Sequence, residues 1–407
     1  MGARIVALCA TVALCGAALA APPVVGERFE VRVEDLPAPY ASESASNGPR
    51  RIKRPTGATL QVPPGFRATI FAAGLDHVRW MTVAANGDVF LAQPNEGRIT
   101  LLRDADGGGE AELIVTFARG LDRPHGLAIA GDYLYVADTR RVWRYRYTPG
   151  QTRALGGPLP VTRRGAFGPG GGSHWTRNLA FSRDESRFYV TIGSASNLRV
   201  EGEPRATVQV FDVDGSNQRT LAAGLRNPVG IALRPGTDEV YVVVNERDGM
   251  GDGLVPDYLT RVQDGAFYGW PYAYLGANPQ PGLGSKRPDL VAATVVPDLL
   301  FEAHSAPLGL VFYDGAQFPA EYHGDAFVAL HGSWNSAEPR GYMIARVRFE
   351  NGRPAAHYEA FVTGFWIEGE DRARVFGRPA GLAVAADGSL LIADDVGQVI
   401  WRISYLP

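Results

Sequence analysis

From Gly65 onward, apolar and polar positions recur in one unit: an apolar run, a turn, an alternating run, a polar loop, and a third run rich in arginine and aromatics. The apolar runs are MTVAA from Met81, GLAIA from Gly126, NLAFS from Asn178, GIALR from Gly230, GLVFY from Gly309 and GLAVA from Gly381. Their alternating partners are DVFLAQ from Asp88, YLYVAD from Tyr133, RFYVTI from Arg187, EVYVVV from Glu239, DAFVAL from Asp325 and SLLIAD from Ser389. Third runs include GRITLLR from Gly97, RRVWRYRY from Arg140, YMIARVRF from Tyr342 and QVIWRISY from Gln398. Short alternating runs bounded by turn residues read as strands, and no stretch keeps a long helical period.

Six copies of such a unit predict an all-β fold, a six-bladed β-propeller, with sheets standing radially about an axis. Gly126, Gly230, Gly309 and Gly381 open the inner runs, as crowding around an axis requires. The last copy ends at Tyr405 one strand short, while Phe66 to Ala73, FRATIFAA, is a strand with no partner ahead of the first copy. Pairing the two closes the ring and hides both edges. An open sandwich of similar strands is the alternative.

The 49 glycines and 29 prolines, spread along all 407 residues, fit many strands joined by turns, and one large domain can account for the length. A net charge of −3 without basic runs argues against nucleic acid or an anionic membrane as partner and leaves a small molecule as the default. Residues 1–20, MGARIVALCATVALCGAALA, combine a basic start, an apolar run and an A-x-A site, the pattern of a cleaved secretory signal. Both cysteines, Cys9 and Cys15, fall inside it, so a processed chain has no thiol, which suits the bacterial periplasm. No later run is long enough to span a bilayer. Residues 21–64 are rich in Pro, Ser and Arg and read as an extended arm along the surface, carrying no candidate site; residues 65–407 form the propeller.

In such a fold the residues before each inner strand and the loops after each second strand open at one mouth. The first set holds Arg79-Trp80, Arg123-Pro124-His125, His174 to Arg177, Arg226-Asn227-Pro228, His304 and Arg378-Pro379. The second holds Asn95-Glu96, Asp138, Asn197, Asn245 to Asp257, His331 to Asn335 and Asp394-Asp395. A mouth lined with Arg, His and acids suits something small, anionic and aromatic. The acidic, glycine-rich loop Asn245 to Asp257 suits a hard cation, or is simply a solvated loop. DADG from Asp104 and DVDG from Asp212 look like pieces of calcium loops but sit where hairpins turn. Serine-elbow, P-loop, dinucleotide and H-E-x-x-H signatures are missing from the sequence.

Three stretches, GGGSHWTRNLAFSRDESRFYVTIGSASN, LRNPVGIAL and PDYLTRVQDGAFYGWP, occur in the order found in the soluble PQQ-dependent sugar dehydrogenases. From about Gly65 to its end the chain resembles this glucose/sorbosone dehydrogenase family, and HGSWN from His331 resembles the L-sorbosone dehydrogenase-like branch. The resemblance implies a quinoprotein that uses pyrroloquinoline quinone (PQQ) and Ca²⁺ to oxidise an aldose or ketoaldehyde and passes electrons to a soluble acceptor or cytochrome. It implies His174 as catalytic base, or else a mouth histidine that only bonds a loop. Arg226 and Asn227 match the pair that polarises the quinone oxygens; a structural arginine and a turn residue are the other readings. Arg378 matches an arginine on a cofactor carboxylate, or initiates a turn, and His125 lies near an amide over the cofactor, or is a satisfied loop histidine. Carbonyls of Arg247 and Asp248, with the Asp257 carboxylate, correspond to the calcium loop. The family's clamping lysine has no counterpart, since Lys53 and Lys286 do not fit, so Arg340 or the loop around Trp334 and Asn335 would take its place. A calcium-dependent lactonase-like hydrolase and a non-enzymatic binding propeller are the other functions this mouth allows.

Overall fold

A computed structural model of the chain describes residues 20–169 and 172–406. The expected signal segment lies outside the described residues but for its last position. Among the described residues, six antiparallel sheets have four or more strands. Their innermost strands are Trp80–Val83, Gly126–Ala130, Leu179–Phe181, Asn227–Leu233, Pro307–Phe312 and Pro379–Val384. Each coincides with one of the apolar runs, and each innermost strand packs against that of the next sheet, the sixth returning to the first. Phe66–Ala72 pairs antiparallel with Val399–Tyr405, so the sixth sheet is completed from the two ends of the repeat region. No described helix is long and apolar enough to cross a membrane.

Alternation explains the ring. Along Val240–Asn245, Tyr241 and Val243 join the core shared with the fifth sheet, while Val242 and Val244 join the core shared with the third. Because side chains alternate between faces, each sheet with two apolar faces needs a neighbour on both sides. Six apolar clusters meet this need, one between each pair of adjacent sheets. The chain is therefore organised as a propeller-like ring.

Near the axis there is no room for side chains at the inner glycines. A Cβ on Gly126 would lie 2.6 Å from the Arg177 carbonyl oxygen, and one on Gly230 would lie 2.7 Å from that of Leu308. On Gly309 and Gly381 it would collide with the carbonyls of Ala380 and Arg79. In every case the obstacle belongs to the next sheet. Three of these strands also break register just before their glycine, at Pro228/Ile231, Pro307/Gly309 and Pro379/Leu382. Such bulges re-aim the residues ahead of them, which are the mouth residues.

The arm is tied down along much of its length. Arg28–Phe29 adds a fifth strand to the fifth sheet, where Phe29 stacks on Tyr358 with centroids 5.0 Å apart. Arg50–Arg51 pairs parallel with Arg374–Val375. Between these anchors the arm bonds mouth loops: Ser42 Oγ and Ser44 Oγ accept the N–H groups of Asp252 (2.8 Å) and Gly251 (3.1 Å). Asn47 donates its backbone N–H to Trp334 O at 2.7 Å. The arm thus braces loops that shape the mouth, a part the sequence pattern did not reveal.

Crowding at the axis makes a sharp prediction. Gly309→Ala places a methyl against Ala380 O and within 3.1 Å of Ala329 and Leu382; it should lower unfolding free energy by about 1–3 kcal/mol. Gly157→Ala, at a position with nothing within 4 Å, should change it by less than about 0.5 kcal/mol. Urea unfolding of the two variants reads both.

Candidate active site

A pocket of about 330 Å³ opens at the mouth over the third, fourth and fifth sheets. Ser173 and His174 lead into the third, Arg226 and Asn227 into the fourth, and His304 and Ala306 into the fifth. The loops after the second strands supply Asn197, Asn245, Glu246, Asp248, Trp334 and Asn335, and Asp257 stands at the start of the fourth sheet's third strand. Pairing of Asn227 with Asn245 across the fourth sheet brings the two loops together. His304 and Ala306 both have left-handed backbone, with φ of 69° and 55°. Non-glycine residues hold such conformations where the surroundings enforce them, commonly at ligand sites.

His174 is set up as a neutral acceptor. Its Nδ1 lies 3.0 Å from Ser194 O and 2.9 Å from Ser194 Oγ. That hydroxyl donates its own proton to Ser196 O at 2.7 Å, so both Ser194 oxygens act as acceptors and Nδ1 must carry the proton. Nε2 is left with a lone pair. Burial, then the nearby Arg226 charge, pushes the imidazole down to about 3, so it stays unprotonated at neutral pH.

Asn227 shares a floor with it. A Cβ on Gly193 would lie 2.7 Å from His174 Cβ and closer still to Asn227 Oδ1, so glycine is what lets both side chains settle there. Asn227 Oδ1 is buried and meets no hydrogen-bond donor among the described residues. An unmet polar atom of this kind costs about 1–3 kcal/mol unless something in the pocket satisfies it.

Arg226 does a different job from the one expected. Nε donates to Asn197 O (3.1 Å), Nη1 to Asn245 O (3.2 Å) and Glu246 O (2.5 Å), and Nη2 to Asn197 Oδ1 (2.9 Å) and Asp248 Oδ2 (3.3 Å). Those contacts use all five N–H groups of a guanidinium. Arg226 therefore holds two mouth loops in register, which corrects the expectation of donors aimed at a quinone.

The acidic loop turns two carboxyl groups inward. Glu246 is pushed up to about 8, chiefly by burial, and Asp257 to about 7 for the same reason, although the N–H groups of Glu246 and Ala306 both donate to Asp257 at 2.8 Å. Asp248 receives the Asn335 amide at 2.5 Å. His304 accepts a second donation from that amide at its Nδ1, 3.0 Å away. Hard oxygens and buried carboxyls short of positive charge are what a Ca²⁺-like ion matches. The Asp248 carbonyl, expected as a ligand, is already engaged by Asn197 Nδ2 and the Arg247 guanidinium. The Arg247 side chain folds back onto its own loop and does not line the pocket.

Other expectations are corrected. Arg378 is buried away from the pocket, with Nε donating to His331 O at 2.8 Å and Nη2 to Gly332 O. It braces a mouth loop. Arg340 pairs with Asp252 at 3.2 Å and lines a separate pocket with Glu302 and Glu338. His125 is fully buried, its Nδ1 2.9 Å from Asn178 Oδ1 and its ring packed between Trp80 and Trp175. It is a satisfied loop histidine. Trp334 does rim the pocket and is 52% exposed, leaving a broad apolar face free.

His304, Asn245, Asn197 and Asn335 stand in mouth positions, Asn335 alone with an expected role as part of the loop in place of the clamping lysine, and Glu246 lies unmarked within the acidic loop. The register of the repeat was the signal for the first four. Nothing in the composition of an acidic loop says which acid turns inward. Among the described residues, one group of three acids has oxygens within 4.8 Å of one another, Asp104, Asp106 and Glu112. It lies at a hairpin, where Asp104 and Asp106 accept loop N–H groups.

Fold and mouth together define a propeller-like scaffold with a neutral histidine, a buried amide and a cation-suited loop at one end of its axis. Residues 60–255 and 289–405 match the family described as TrAA12-like, and the chain belongs to that family. It is 28% identical over 358 residues to an uncharacterized protein of Borreliella burgdorferi, covering 86% of this chain and 91% of that one. It is 26% identical over 408 residues to a pyrroloquinoline quinone-dependent pyranose dehydrogenase of Coprinopsis cinerea, covering 84% of this chain and 54% of that one. The chain thus spans about half the length of the Coprinopsis protein. The calcium structure of the Trichoderma reesei carbohydrate-active enzyme of family AA12 superposes with a TM-score of 0.71 at 20% identity, over 88% of this chain and 99% of that one.

Removing the Arg226 guanidinium should loosen the whole mouth. Arg226→Met leaves three loop carbonyls, Asn197 Oδ1 and Asp248 without their donor; a loss of about 3–5 kcal/mol is expected. Amide exchange should rise in 195–199 and 245–249 and stay unchanged in the first sheet. Uniform exchange across the chain would contradict this.

Proposed function

We propose that the chain is a PQQ- and Ca²⁺-dependent dehydrogenase of an aldose or ketoaldehyde, with His174 as base, on a six-bladed propeller that acts in the periplasm after signal cleavage. Membership of the TrAA12-like family supports the class, as does the PQQ-dependent relative in Coprinopsis. The observation that carries the reading is the pairing of a neutral His174, its proton fixed on Nδ1, with the unmet amide of Asn227 over Gly193.

The residues present fit both groups. Trp334 offers a face to a flat ring system, and the unmet Asn227 Oδ1 offers an acceptor to an N–H of that ring or an O–H of the sugar. The cation would draw on the Arg247 carbonyl, Glu246 and Asp248, and its charge would offset three carboxyl groups that otherwise disfavour a polyanionic cofactor. Bound there, the quinone would be the two-electron oxidant that takes the hydrogen and electron pair of the sugar's C–H bond, while the O–H proton goes to His174, leaving a lactone or acid.

His174 supplies the step this chain performs. A substrate hydroxyl placed against Nε2 gives it a proton as the C–H bond breaks, and Ser194 keeps the ring in the tautomer that can receive it. A sorbosone-like ketoaldehyde is one substrate within that class, on the likeness of the HGSWN loop to that branch.

Protein purified from a host without PQQ should reduce a redox dye with an aldose or ketoaldehyde once PQQ and Ca²⁺ are both added. His174→Ala should lower kcat by about 10²–10⁴-fold while the melting temperature holds. Dye reduction that needs neither addition, or that survives in the variant, would sink the proposal.

A further inference from the structure

A second pocket of about 350 Å³ shares the segment 172–177 with the first. Ser173 and His174 line one; Gly172, Trp175 and Arg177 line the other. Their charges are opposite. Where the first pocket gathers acids, the second is lined by Arg123, Arg140, Arg164 and Arg177 against one acid, Asp122. That acid is already engaged by Arg140 at 2.5 Å and the Thr139 hydroxyl at 2.8 Å.

Arg177 is the telling residue. It is 3% exposed, its Nη1 donates to the carbonyls of His174 (3.1 Å) and Thr176 (2.6 Å), and its Nε–H finds no acceptor among the described residues. Burial and the like charge of Arg205 push its guanidinium down to about 9, so no counter-charge offsets it. A cation buried this way is costly until an anion joins it. Arg123 lies over the Trp175 ring at 4.1 Å with its charge felt by Asp122, and neither it nor Arg164 forms a direct ion pair among the described residues. Both are exposed and able to close on a ligand.

We propose that this pocket is an anion subsite for the substrate: the sugar presented to His174 carries a carboxylate, as in a uronic acid, held by Arg177, Arg164 and Arg123. The inference rests on the sugar-oxidising reading above and deepens it. Arg177 is one hydrogen bond from the main chain of His174, so the arginine pocket and the His174 pocket adjoin through one segment. Guanidinium forks match a carboxylate.

Calorimetric titration of the full chain with galacturonate and with galactose tests this, with and without PQQ and Ca²⁺. Galacturonate should bind roughly ten- to a hundredfold more tightly than galactose, and added salt should weaken only the acid. Arg123→Gln with Arg164→Gln, both at exposed positions, should erase most of that preference; Arg177→Gln should erase all of it if the variant folds. In the reconstituted enzyme the ratio of kcat/KM for acid over neutral sugar should fall in step. Equal affinity for the two sugars, or a preference untouched by the double variant, would overturn the proposal. So would a double variant that weakens PQQ binding and not galacturonate binding, because the pocket would then serve the cofactor. Binding is read without turnover, so a chain that oxidises no sugar yet prefers galacturonate would refute the dehydrogenase reading and leave the anion subsite standing.

Discussion

Each of the six large sheets among the described residues is apolar on both faces, and that constraint shapes everything else. Val242 and Val244 belong to one inter-sheet core and Tyr241 and Val243 to the next, so a sheet left at an open end would expose half its strands. Closing the ring removes the exposed faces, and the pairing of Phe66–Ala72 with Val399–Tyr405 completes the last sheet. Closure crowds the axis, which is why glycine stands where the inner strands face the backbone of the next sheet. Strand ends and loops, which carry no such packing duty, are free to hold polar chemistry.

At the mouth the organising element is a set of buried cations that bond carbonyl oxygens. Arg226 ties the loops of the third and fourth sheets, and Arg378 ties the loop after the fifth sheet's second strand. With those loops held, His174 and Asn227 can share the space above Gly193, and Glu246 and Asp257 can be turned inward without charge partners of their own. The segment 172–177 then separates an acid-rich pocket from an arginine-rich one.

The inner and second strands were legible because alternation and turn residues mark them, and the glycines because close approach leaves few other choices. His174 and Asn227 were legible through their place just ahead of an inner strand. Fourth strands were harder: Leu159–Pro160 is two residues long and exposed, so no apolar pattern marks it. Arginines were hardest. Arg226, Arg340 and Arg378 all lie near the mouth in sequence, but the direction of a guanidinium depends on which carbonyls or acids the folded loops place around it. The bracing by Ser42, Ser44 and Asn47 escaped notice for the same reason, since their partners lie some 200 residues or more away.

The central claim is that the pocket between His174, Asn227 and Trp334 is the cofactor site of a quinoprotein. A crystal structure of the chain grown with PQQ and Ca²⁺ tests it most directly. The account predicts a flat ligand in contact with the Asn227 amide and beside His174, with a cation at the 246–248 loop. A ligand seated elsewhere, or a pocket that stays empty at saturating PQQ, would contradict it.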